Sequence, residues 1–267
     1  MGKGYSIITP VGFIPSLSPS EATVIVTSGT ANVFGSWVAL GQLPPYPTRH
    51  IKLAGRPFSS SGGGPALINL GLGSATVAPS RILIPNIVAN LVTNYIGVPL
   101  EFDIPLWMPP SSYLWAQIAQ NSSVAYNFEI GALVESRILG SPFRTVTSYV
   151  VSATSSGTIL TGTGTSGSYG PATVASSFGP HKAWGFLVTP VGSPNWQSWS
   201  VEVSFGGNIL FPLSAVIVTD NSYVTTWPSW YGPYECDLGS SVTVTVSGNY
   251  GQSTAGNQIQ IGLYGFD

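Results

Sequence analysis

Two pairs of carboxylates stand at a spacing that could do chemistry. Glu101 and Asp103 are separated by one residue, and Glu235 and Asp237 repeat the arrangement. On an extended strand, residues two apart project from the same face. Such a pair could hold Ca²⁺ with help from carbonyl oxygens, or act as acid and base in glycoside hydrolysis. The flanks are proline and apolar residues, as in Pro99-Leu100-Glu101-Phe102-Asp103-Ile104. They favour a strand edge or turn in which the carboxylates serve hydrogen bonds and ion pairs. That structural use is the preferred reading, with Ca²⁺ second and catalysis last.

The remaining polar candidates are sparse. The two histidines, His50 and His181, lie in neither His-rich nor Cys-rich surroundings, whereas zinc needs three or four ligands at characteristic spacings. They are expected to be hydrogen-bonded loop or inter-subunit residues. Cys236 is the single cysteine; it can form no internal disulfide and reads as a small buried hydrophobe. Gly162-Thr163-Gly164-Thr165-Ser166-Gly167 fits the bare dinucleotide pattern, but Pro171 follows and no carboxylate comes before Glu202. That motif needs a following helix and an acidic residue about 20 positions on. There is no Gly-x-Ser-x-Gly elbow and no phosphate-cradling Gly-Lys-Ser/Thr. No catalytic residue, cofactor or metal ligand is assigned, and a non-enzymatic protein is expected.

The aromatic residues of the second half are the better candidates for contact. They are Trp196, Trp199, Trp227, Trp230, Tyr231 and Tyr234. The run Trp227-Pro228-Ser229-Trp230-Tyr231-Gly232-Pro233-Tyr234 reads as a loop, since it holds two prolines and a glycine. Aromatic side chains bury large areas and dominate interfaces. Three uses compete here: contact with a neighbouring subunit, capping of the protein's own core, and stacking on sugar rings.

The elements that carry these residues are β-strands. Alternating runs rich in Val, Ile, Thr and aromatics, such as residues 66–72, 113–119 and 242–246, suit half-buried pleated surfaces. No window reads as a long amphipathic helix. Charged residues make up only 7% of the 267-residue chain, with a net charge of −2, against about 25% in ordinary soluble domains. Disorder is excluded, because it requires low hydrophobicity and high charge. Nucleic-acid binding is excluded as well, because it requires many Lys and Arg to displace counterions. No apolar run approaches the ~20 residues of a spanning helix, so no membrane partner is expected.

The sequence also repeats itself. Pro99–Ile104 matches Pro233–Leu238, residues 70–73 match 203–206, 82–85 match 209–212, and 128–133 match 259–264, in the same order and at similar offsets. The two histidines fall at corresponding places as well. Ordered matches of this kind mark a tandem duplication. The expected organisation is an N-terminal docking segment over 1–22, a β-sandwich over 23–135, a linker over 136–145 and a second sandwich over 146–267. Two tandem jelly rolls are the likeliest topology for halves of this size. The Gly/Ser-rich stretches 59–64 and 155–170 read as loops.

The run Phe102-Asp103-Ile104-Pro105 through Pro110-Ser111-Ser112-Tyr113-Leu114-Trp115-Ala116-Gln117-Ile118-Ala119-Gln120 resembles the β-sandwich virion proteins of tailed bacteriophages. These are head decoration (cement) proteins, minor capsid proteins and tail or receptor-contacting proteins. The resemblance implies a homo-oligomer, often a trimer, assembled in the host cytoplasm into a virion. Its partners there would be major capsid or tail subunits, with no enzymatic site. A tail-associated receptor- or carbohydrate-binding protein is the alternative.

Overall fold

The computed structural model describes residues 8–11, 24–57, 65–90, 100–121, 127–136, 142–150, 158–161, 167–191, 198–213, 229–235, 240–251 and 258–267. Every regular element among them is a β-strand. The first half supplies β1 (Ile8–Val11), β2 (Val24–Thr27), β3 (Val38–Gln42), β4 (His50–Pro57), β5 (Pro65–Gly73), β6 (Arg81–Asn90), β7 (Leu100–Ile104), β8 (Tyr113–Gln120) and β9 (Asn127–Glu135). The second half supplies β10 (Val146–Ser148), β11 (Thr158–Thr161), β12 (Gly167–Phe178), β13 (Ala183–Val191), β14 (Ser198–Phe205), β15 (Asn208–Leu213), β16 (Ser229–Glu235), β17 (Val242–Gly251) and β18 (Gln258–Phe266).

Each half folds into a five-stranded and a four-stranded antiparallel sheet. In the first half the five-stranded sheet runs β1-β9-β4-β7, with β2 also on β9, and the four-stranded sheet runs β3-β8-β5-β6. In the second half the orders are β10-β18-β13-β16, with β11 also on β18, and β12-β17-β14-β15. Each strand of the first half thus has a counterpart nine elements later. Neighbours in space are mostly distant in sequence, the Greek-key connectivity of a jelly roll.

Period-two patterning builds both interiors. Along β8, Leu114, Ala116 and Ile118 turn inward while Tyr113, Trp115 and Gln117 are half-exposed. They meet Ile51, Leu53, Phe102, Ile104 and Val134 of the facing sheet in one continuous core. In the second half, Val201, Val203, Phe205, Val244 and Val246 face Trp184, Phe186, Ile259, Ile261 and Leu263. At about 1.5–3 kcal/mol for each fully buried large side chain, this burial is the main force holding each sandwich closed.

Pairing register fixes which residues of the two halves correspond. His50, Lys52 and Ala54 stand opposite Glu135, Leu133 and Gly131; Ala183, Gly185 and Leu187 stand opposite Phe266, Tyr264 and Gly262. On the next strand, Ile104 and Phe102 stand opposite Ile51 and Leu53. Tyr234 and Tyr231 stand opposite Trp184 and Phe186, with a bulge between them at Gly232 and Pro233. Phe102 therefore corresponds to Tyr231, and Ile104 to Tyr234.

This register supports most of the sequence repeat and corrects part of it. Leu70 faces Ile84 as Val203 faces Phe211, so the 70–73/203–206 and 82–85/209–212 matches are structural equivalences. The hexapeptide match is not. Glu101 pairs with Ala54 inside β7, whereas Glu235 pairs with Ala183 at the end of β16, a position that corresponds to Pro105. An acidic-apolar alternation flanked by proline recurs easily at strand edges, which is why the letters agree while the positions do not. The histidines are also offset, since the counterpart of His50 is Ala183.

The expected boundaries shift at both ends of the first half. β1 lies within residues 1–22 and pairs with β9, so residues 8–11 form a strand of the first sandwich. The end of the 136–145 linker is stapled down. Phe143 exchanges backbone hydrogen bonds of 2.8 and 2.9 Å with Pro105 and Trp107, and Arg144 lies 4.4 Å over the Trp107 ring. Within the expected 155–170 loop, residues 158–161 and 167–170 are strand.

Candidate functional site

The functional surface of greatest interest is the outer face of each five-stranded sheet, because the two halves use it oppositely. In the second half that face carries Ala183, Leu187, Trp230, Tyr264 and Phe266, which pack with the core of the first half. Tyr264 is fully buried. Its hydroxyl accepts a hydrogen bond from the Val88 N–H at 3.0 Å and donates to the Asn86 carbonyl at 2.9 Å. Burial drives its ionisation far above the ordinary phenol range. Gln260, also fully buried, donates from Nε2 to the Ala66 carbonyl at 3.3 Å.

Phe102, at the β6/β7 side of the first sandwich, is sealed by two rings from the second half. Trp230 stands 4.4 Å away and Tyr264 5.4 Å away, centroid to centroid. Trp230 also lies 6.0 Å edge-on from Phe266. Gly185 makes room for it, since a Cβ there would stand 2.5 Å from the indole Cη2. The second half thus lays a sheet face across an open edge of the first.

In the first half the same face is charged. His50, Lys52, Asp103 and Glu135 are half-exposed on it, and Glu129 is buried. His50 Nε2 lies 2.5 Å from Asp103 Oδ1, joining β4 to β7. The hydrogen bond to Asp103 holds the His50 imidazole above its ordinary range, helped by the Asp103 and Glu135 charges and opposed by burial and Lys52. This ion pair accounts for Asp103. Only the backbone of Glu101 is described, Glu235 is exposed, and Asp237 lies outside the described residues. Among the described residues no three of His, Cys, Asp and Glu converge as a metal site would require.

His181 has a different setting. Its Nδ1 lies 2.8 Å from Asp267 Oδ2 and its Nε2 2.6 Å from the Tyr149 hydroxyl. With Nδ1–H donating to the carboxylate, Tyr149 donates to Nε2. The phenol oxygen also accepts the Gly179 N–H at 3.2 Å. Hydroxyl, imidazole and carboxylate in this order resemble a nucleophile, base and orienter. Here the phenol is committed to both partners, and its ring packs 4.7 Å from Phe178. The ring of His181 occupies the space a side chain on Gly265 would need. The trio ties the end of β18 to the β12–β13 turn and to the residue after β10.

The six aromatic candidates divide. Trp196 and Trp227 lie outside the described residues, and of Trp199 only the backbone is described. Trp230, Tyr231 and Tyr234 stand in strand β16, not in a loop. The bulge absorbs Gly232 and Pro233, so the run keeps its pairing with β13. Tyr231 stacks on Phe186 at 5.0 Å and Tyr234 packs against Trp184 at 5.1 Å. Within this molecule the three rings cap its own interior, while Tyr231 and Tyr234 remain half-exposed. Cys236 falls outside the described residues. The sequence carries only a partial signal for Tyr264, Gln260 and Phe266: β18 opens on the alternation Gln258-Ile259-Gln260-Ile261, but its later outward positions are Gly262, Tyr264 and Phe266, as expected where a strand is buried on both faces.

No family model matches the chain, and no curated protein does. Among solved structures the chain is similar to tripeptidyl peptidase 2 at 9% identity and a TM-score of 0.30, over 99% of this chain and 23% of that one. The chain therefore spans about a quarter of that protein's length, and a likeness this weak carries no argument about activity.

Proposed function

We propose that this protein is a structural component of a virus particle, a capsid or capsid-stabilising (decoration, cement or minor capsid) subunit that contributes two jelly-roll modules. The observation that carries the reading is the face-to-edge contact between two copies of one nine-strand fold within a single chain. Such a contact is heterologous: the surfaces that meet are different, so it can propagate from module to module into rings or shells. Jelly rolls serve as viral capsid domains, and also as lectin domains and cupins, so fold alone does not choose among these. Two features favour the capsid reading. Of the described candidate rings, Trp230 is spent on the junction between the halves, packed on Phe102. The low charge suits a protein whose surface is spent on association.

Mass photometry and negative-stain microscopy of the purified full chain test this. Discrete oligomers or closed assemblies, and recovery of the chain from purified particles, are expected. A protein that stays monomeric at tens of micromolar and is absent from particles would overturn the proposal.

A further inference from the structure

The first half's β6/β7 edge is covered by the second half, but the corresponding edge of the second half, at β15/β16, is left with Tyr231 and Tyr234 half-exposed. Their counterparts, Phe102 and Ile104, are fully buried. The covering face of the second half likewise has its counterpart in the first-half face that carries His50, Lys52, Asp103 and Glu135. The residue changes run in step on both surfaces. Where the edge is purely apolar (Phe102, Ile104), its cover is Ala183, Leu187, Tyr264 and Phe266. Where the edge carries phenols, the equivalent cover carries an imidazole, an ammonium and carboxylates. Phenol hydroxyls can donate to carboxylates and accept from an ammonium, and aromatic faces attract cations.

We infer that the β16 edge of one copy docks onto the charged outer face of the β9-β4-β7 sheet in a second copy, repeating between molecules the contact that joins the halves within one. The inference rests on the particle-subunit reading and names its self-contact. The surfaces are polar where the internal junction is apolar. The contact between copies is therefore salt-sensitive and reversible, while the junction within a copy is permanent.

The test places p-benzoylphenylalanine at Tyr231 in the full chain, mixes isotopically light and heavy protein, irradiates the assembled oligomer and maps the cross-linked peptides. Circular dichroism checks that the variant folds. Mixed-isotope cross-links from position 231 to peptides holding residues 50–57 or 127–135 are expected. A Lys52→Glu variant should weaken self-association at least tenfold. Cross-links between two β16 strands, to another surface or to a different protein of the particle would overturn the pairing while leaving the particle-subunit reading intact. A chain that is monomeric throughout and absent from particles would overturn both.

Discussion

The outer faces of the two five-stranded sheets share a backbone and differ in chemistry. On β18 the outward residues are Gln260, Gly262, Tyr264 and Phe266; on β9 they are Glu129, Gly131, Leu133 and Glu135. The first set is buried against the other half, whereas Leu133 and Glu135 of the second remain half-exposed. One fold presents an adhesive and a polar version of the same surface because only alternate residues need to change. The inward residues, Ile259, Ile261 and Leu263 against Phe128, Ile130 and Ala132, stay apolar in both.

Exchanging residues between the faces breaks the comparison most sharply. Phe266→Glu places the first-half carboxylate into the second-half contact, in place of a fully buried ring packed on Phe143 and Trp230. A loss of about 3–5 kcal/mol is expected in urea unfolding, the scale of losing a buried aromatic ring. The reciprocal Glu135→Phe should cost no more than about 1 kcal/mol, because Glu135 is half-exposed and its charge interactions are screened. Equal effects would show that the faces are not used differently.

Truncating the junction comes next. Trp230→Ala removes a partly buried ring that seals Phe102, and a loss below the ~3–5 kcal/mol of a fully buried large-to-small core change is expected. Tyr264→Phe keeps the ring but leaves the Asn86 carbonyl and Val88 N–H unpaired, at a cost of about 1–3 kcal/mol. If the two halves unfold independently by calorimetry in the wild type, these figures lose their basis.

The smallest effect belongs to the charged face and depends on pH. The folded-state pKa of His50 is raised above its unfolded value of 6.5. Its pairing with Asp103 therefore stabilises fully below that unfolded value, and the contribution is lost as pH rises through the folded-state pKa. Asp103→Asn should cost more at pH 5.5 than at pH 9. The difference should stay below about 1 kcal/mol, because the Asp103 side chain is 44% exposed and screened. A cost that grows toward alkaline pH would contradict this assignment.

Much of the fold was legible in the residues. Tyr113–Gln120 and Val242–Val246 alternate in the way a half-buried strand must, and both are strands. The Leu70–Gly73 and Ile82–Pro85 repeats survive because inward packing constrains their apolar residues in both halves. The hexapeptide repeat failed because acids and prolines on outward or terminal positions are not constrained by packing. The second half's β16 was hidden by Gly232 and Pro233, residues that usually interrupt strands but here fill a bulge. The inter-half contact could be glimpsed only in the apolar or small outward residues Gly262, Tyr264 and Phe266 at the end of β18. Neither the Asp103 partner of His50 nor the Tyr149–His181–Asp267 trio could be found, since each joins positions far apart along the chain through the sheet register.

Cryo-electron microscopy of the assembled full chain tests the central claim most directly. A closed ring is predicted, in which the β9-β4-β7 face of each copy covers the β15/β16 edge of the next, so that contacts within and between chains superpose. A ring built through other surfaces, or a particle population of isolated monomers, would contradict it.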